Sequence, residues 1–243
     1  KVTIDSDSLD KDEIEMLEDM IKVALNNAFD KVEKMKVCTC LNPLHTFLAV
    51  SGCLLGYTLI ADEMKDEDLL RLVKRLGYDE GLKVVVDPKI IQPKDFIDEV
   101  VNIRIPNPFM PDTPQRIACD TSQKLSIRFG ETIKGYLSRS DLHISDLKVI
   151  PLVFALWLRY LMAINDKGEP FELSPDPLLE ECKKYVEGIS LGSSDISAIE
   201  PLLCREDIFG VNLVKTGLSD SVKAYFRSLI TKTGAVRATI QSI

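Results

Sequence analysis

A mainly α-helical fold is the expectation from this sequence, and three observations carry it. Apolar residues recur at three-to-four spacing through most of the chain. Prolines stand where helices begin, at Pro43, Pro93 and Pro114. Strand-like alternation is confined to short pieces, of which Lys83 to Val86 is the best.

Each element follows from local signals. Lys1 to Ile4 alternates like a short strand, and Asp10 with Glu13 forms a capping box for a first helix. Ile14, Leu17, Ile21, Leu25, Phe29 and Val32 continue that helix for roughly 22 to 25 residues. Its first turns are acidic and its last are rich in lysine, which suits the helix dipole. Pro43 opens a helix expected to reach Thr58, and Asp66 one expected to stop before Gly77. Pro93 opens another through Val101, and Thr113-Pro114 caps and opens a long helix through Leu137. Leu152 to Ala163 is apolar on most sides, so it reads as buried, with Trp157 inside it. Asp176-Pro177 and Ser219-Asp220 mark later starts.

Composition narrows the function classes. The 243 residues are 45% hydrophobic and 28% charged, ordinary for a globular protein with a sizeable core. A net charge of −8 argues against nucleic acid or acidic membranes as partners. The longest apolar run, Val149 to Leu158, is far shorter than the roughly 20 residues of a membrane helix. Six irregularly spaced cysteines and no secretory leader point to reduced thiols and a cytoplasmic setting. Cys38, Cys40, His45 and Cys53 could be drawn as a zinc site, but their spacing is not that of one. The chain begins at Lys1 without Met, as a fragment would.

Two clusters carry chemistry. The run from Met35 to His45 sets Lys36 shortly before Asn42 and His45, which are three apart. The run from Asn107-Pro108-Phe109 through Asp112-Thr113-Pro114-Gln115-Arg116 to Asp120-Thr121-Ser122-Gln123-Lys124 sets Arg116 and Lys124 eight apart. On one helix those two would lie about 12 Å apart along the axis, on one side. A lysine can move a proton, an Asn and a His can hold a reacting oxygen, and cations can hold the rest of a polar substrate. Blander readings also fit. Lys36 could be a solvated helix end, Asn42 an N-cap and His45 a core histidine, and Arg116–Asp120–Lys124 an exposed ladder. Arg128, Glu131 and Lys134 continue the charged spacing and read as structural.

These clusters resemble the C-terminal domain of the polyol-specific long-chain dehydrogenases, the mannitol 2-dehydrogenase and fructuronate (tagaturonate) reductase family, from residue 36 or 37 to 243. The resemblance implies a multi-helical substrate domain. It assigns catalysis to Lys36, Asn42 and His45, and substrate binding to Arg116 and Lys124. The substrate would be a polyol or a keto-sugar acid, with no metal. Asp120, Ser122, Gln123 and Lys124 lean toward the hexuronate branch. The family places its lysine five residues before the Asn, a position held here by Val37; Lys36 is six before. NAD is the implied cofactor, bound mainly by a domain outside this chain, since no G-x-G-x-x-G occurs among the twelve glycines.

Residues 1–36 resemble something else. Thr3-Ile4-Asp5, Leu9 to Glu13, Glu15 to Met20 and Asn26 to Phe29 look like the last strand and helix of YbaB-type nucleoid-associated proteins. The alternative function this implies is DNA association or helix-mediated scaffolding. The run Asp30 to Lys36 fits both resemblances, so a composite chain joined there is expected.

Overall fold

The computed structural model describes residues 11–36, 41–85 and 92–243. Helix α1 (Lys11–Lys36) is the expected amphipathic helix. Along residues 12–29 its side chains are exposed, apart from half-buried Leu17. The Lys1–Ile4 strand, the Asp10 cap and residues 37–40 lie outside the described residues.

Helix α2 (Asn42–Leu55) carries Pro43 in its first turn and ends where Gly56 turns left-handed at φ 81°, short of Thr58. A short α3 (Ile60–Glu63) leads to α4 (Glu67–Lys74), whose N-terminal amides are capped by Asp66. Helical chain does not stop before Gly77. It widens into a π-type turn (Arg75–Gly81) and tightens into a 3-10 turn (Leu82–Val84), so residues 83–85 are not the expected strand. Packing overrode the breaker: Gly77 is buried so tightly that an added Cβ would come within 2.5 Å of Ile97.

Helix α5 (Pro93–Glu99) also widens, into a π-type turn at Val100–Arg104. The long helix expected from Thr113 to Leu137 is broken. Thr113 does cap α6 (Pro114–Ala118), but Asp120 then turns left-handed at φ 52° and starts α7 (Thr121–Leu125). The break is held from outside. Asp120 N donates to Pro175 O at 2.9 Å, and the Asp176 carboxylate accepts from Ser122 N at 2.8 Å. A third π-type turn (Ser126–Gly130) joins α7 to α8 (Glu131–Ser138).

Helix α9 (Val149–Leu161) is the centre of the molecule, and every one of its residues is buried, Trp157 included. Burial of each large apolar side chain there contributes about 1.5–3 kcal/mol. The helix has no cap of its own. Glu80, from the first π-type turn, accepts from the amides of Lys148, Val149 and Ile150 at 2.7, 2.6 and 2.9 Å. After α9 come α10 (Leu179–Lys183), α11 (Glu200–Leu203), α12 (Glu206–Phe209), α13 (Leu213–Thr216), α14 (Ser219–Leu229) and α15 (Ala235–Ser242). Helices α14 and α2 pack on α9, and α6 packs on α2.

Phe154 joins Phe129 and Phe209 edge-to-face, with centroids 5.6 and 4.9 Å apart. Behind that cluster Gly130 and Gly210 touch backbone to backbone; a Cβ on Gly130 would meet Gly210 Cα at 2.9 Å. This close approach seats the turn at 126–130. The only pairing of β type among the described residues is an isolated bridge between Ile164 and Pro170, so the fold is mainly α as expected. No described helix is long and apolar enough to cross a membrane.

Candidate functional site

The first turn of α2 brings Asn42 and His45 to one end of the helix. Asn42 is not the N-cap of the blander reading: Leu41 holds that place, and no side chain caps the helix. Both Asn42 and His45 are half-buried. His45 borders a cavity of about 30 Å³ shared with Leu41, Arg104, Ile105, Met110 and Asp112. That volume is on the scale of one water or one hydroxyl group.

Three arginines surround this histidine. Burial, then the positive charges of Arg128, Arg104 and Arg116, lower its pKa to about 4. At neutral pH His45 is therefore an uncharged imidazole, able to donate one N–H to an oxygen without surrendering a proton wholesale.

Two of the arginines arrive on π-type turns. Arg104 ends the π-type turn after α5, and Arg128 lies within the one after α7. Arg128 Nη1 donates to Thr46 Oγ1, and Thr46 Oγ1 donates to Asn42 O at 3.0 Å. Arg128 thus ties the second cluster to the turn that presents Asn42 and His45. That tie fits the structural role expected of Arg128, and Lys134 pairs with Glu131 at 2.8 Å.

Arg116 and Lys124 do not share a helix, because Asp120 separates α6 from α7. Nor do they form a ladder through Asp120. Arg116 is exposed and pairs with Asp112, a member of the cavity wall. Lys124 is half-buried and donates to the carbonyl of Cys119. Burial, then the charge of Arg128, lowers its pKa. His45 thus feels the charges of Arg104, Arg116 and Arg128, and Lys124 that of Arg128, in a chain whose net charge is −8.

Lys36 is the last residue of α1; its side chain and residues 37–40 lie outside the described residues. Of the residues that could be drawn as a zinc site, Cys38 and Cys40 lie outside the described residues, and Cys53 is a buried thiol whose pKa burial pushes up to about 12.

One group went unnoticed in the sequence. Glu63, fully buried beside Gly52 of α2 and Pro114 of α6, has no partner for either carboxylate oxygen. Burial, then the charge of Asp66, pushes its pKa well above the ordinary range, so it sits between the two site helices as a neutral acid.

The mannitol dehydrogenase C-terminal domain family matches residues 29–229. The chain belongs to that family. Its similarity to D-mannonate oxidoreductase of Thermotoga maritima is 55% identity over 216 residues, 88% of this chain and 40% of the relative. An uncharacterized oxidoreductase of Escherichia coli, YdfI, is 32% identical over 189 residues, 76% of this chain and 36% of that protein. Among solved structures, Pseudomonas fluorescens mannitol 2-dehydrogenase in ternary complex with NAD and D-mannitol superposes with a TM-score of 0.74. It is 24% identical and covers 87% of this chain and 40% of its own, a likeness of fold. The chain therefore spans about 40% of the length of these relatives.

The family match begins at residue 29, inside α1, ahead of the boundary expected at residue 36. The resemblance of residues 1–36 to nucleoid-associated proteins finds no support in these matches.

The neutral state of His45 has a measurable consequence. An ordinary histidine titrates near 6.5, and this one near 4 when folded. Between those values the unfolded chain binds a proton that the folded chain refuses, so folding stability falls as pH drops. From pH 7 to pH 4 the expected loss is about 3 kcal/mol. Urea unfolding of the native chain and of His45→Gln at both pH values isolates it: the variant lacks this part of the slope. Equal slopes for the two chains would refute the assignment.

Proposed function

We propose that this chain is the substrate and catalytic domain of an NAD-dependent oxidoreductase that interconverts a hexonate and its keto form, as a fructuronate reductase does. A mannitol 2-dehydrogenase-like action on a neutral sugar alcohol is the coarser version of the same chemistry. The observation that carries the hexonate reading is the arginine cluster around neutral His45. A neutral polyol needs no such charge, whereas a carboxylate matches guanidinium forks in geometry and sign. The 55% identity to a D-mannonate oxidoreductase points the same way.

The described residues do not form a cradle for a dinucleotide. No strand among them feeds a glycine-rich turn, and left-handed Gly56, Gly210 and Gly217 close helices rather than open them. Helix α15 does open on left-handed Gly234, but the Asp166 carboxylate already accepts from its Val236 and Arg237 amides. In this proposal a separate domain brings the nicotinamide and with it the hydride chemistry.

This chain's own residues do the rest. Asn42 and neutral His45 hold the reacting oxygen and stabilise the charge that develops on it. Lys36 moves the proton between that oxygen and solvent. Arg116 and Lys124 hold the far end of the substrate, its carboxylate in the hexonate case. Arg128 braces the Asn42–His45 turn through Thr46.

The test is a chimera in which this chain follows the part of the Thermotoga relative that it does not cover. NADH consumption is measured with D-fructuronate and with D-fructose, which lacks the carboxylate. Loss of a buried charge-assisted contact predicts a kcat/KM for fructuronate about 10²-fold above that for fructose. A chimera that prefers fructose, or a folded one that reduces neither, overturns the hexonate reading.

A further inference from the structure

Helix α1 carries most of the large apolar side chains that the described residues leave in water. Met16, Met20 and Val23 are each more than half exposed and fall on one side of the helix. Met16, Met20, Val23, Ala24 and Asn27 line a shallow concavity midway along the helix. Isolated apolar side chains on a surface need no explanation, but a continuous strip along several turns marks an interaction face. Residues 12–28 precede the family match, so the domain shared with the relatives does not account for it.

The charges on the helix identify the partner. Five acids, Asp12, Glu13, Glu15, Glu18 and Asp19, crowd residues 12–19. From residue 22 to 36 the sequence turns basic, with four lysines against Asp30 and Glu33. A second copy laid antiparallel sets each acidic half along a basic half. A parallel copy would stack acid on acid. Both complementary surfaces belong to one helix, as a two-fold contact requires. Ala24 stands at the middle of the strip, where a small side chain lets two helices approach closely. At 26 residues the helix is about 39 Å long, enough for several turns of mutual burial.

We propose that α1 is a self-association element that pairs antiparallel with α1 of a second copy of this chain, crossing near Ala24. The pair buries Met16, Met20 and Val23 of each copy against the other.

Sedimentation equilibrium of the full chain, with Val23→Glu and Ala24→Cys variants, tests this. The native chain is expected to dimerise, and Val23→Glu to weaken the dimer by about 10²-fold while leaving the thermal unfolding of the body unchanged, because a buried charge would lack a partner. Under mild oxidation Ala24→Cys should form a covalent dimer beyond the background of the native cysteines. Glu13→Cys should not, since its two copies would lie about 33 Å apart in an antiparallel pair. A chain that stays monomeric at all concentrations overturns the proposal. So does dimerisation indifferent to Val23→Glu, which would place the contact on another face. Efficient cross-linking through Glu13→Cys would replace it with a parallel pair.

Discussion

Replacing Glu80 by Ala is expected to destabilise the fold by about 3–5 kcal/mol, a large share of the stability of a domain this size. The carboxylate accepts from three consecutive amides at the start of α9, the helix buried along its whole length. Those amides are the positive end of the helix dipole, and no residue of α9 caps them. Burial pushes the Glu80 carboxyl above its ordinary range in spite of the three bonds, so the group is held at a cost. Removing it leaves the donors buried and unmet. Glu80→Gln keeps an acceptor and sheds the buried charge, so its loss should be the smaller. Urea unfolding of the three chains at one pH decides: equal stability of native and Glu80→Ala would show that α9 starts without this cap.

Within a chimera that restores the cofactor domain, Lys36→Ala is expected to lower kcat by about 10²-fold or more, because the proton-coupled step loses its acid–base group. Arg116→Ala should behave differently. Arg116 is exposed, pairs with Asp112 of the cavity wall and lowers the His45 pKa, so under the proposed function it acts on substrate binding. Its loss should raise KM by about tenfold with kcat nearly unchanged, the pattern of a contact equal in ground and transition states. Lys36 stands six residues before Asn42, one more than the family spacing. If Lys36→Ala leaves kcat intact, the extra residue has put another group in that place, and the proton mover must be sought elsewhere.

Much of the fold was legible because its signals are local. Pro43, Pro93, Thr113 and Asp66 announced helix starts, and the apolar run around Trp157 announced the buried centre. What stayed hidden depends on groups far away in sequence. The break at Asp120 is held by Pro175 and Asp176, more than fifty residues on, so nothing near Asp120 signalled that the helix stops. The three π-type turns were hidden for a related reason. Each inserts part of a turn where packing demands it, which shifts the face of every following residue relative to a 3.6-residue count. Arg104 and Arg128 ride on two of those turns, so an even helical count did not bring them near His45. Asn42 and His45 could be placed at one end of a helix because their spacing is short and local. Glu63 gave no signal at all: its burial follows from the approach of α2 and α6, which only the tertiary structure sets.

The most direct measurement of the central claim is an NMR titration of the native chain with D-mannonate and, separately, with D-mannitol. The chain has two histidines, His45 and His143, so the imidazole signals can be assigned by one substitution. A hexonate seated between the arginines should shift the His45 ring signals, leave those of His143 in place, and raise the His45 pKa by placing a negative charge beside it. Mannitol at the same concentration should bind more weakly and move that pKa little. If mannonate leaves the His45 signals unmoved, or mannitol shifts them as strongly, the cations around His45 are not a carboxylate-binding substrate site.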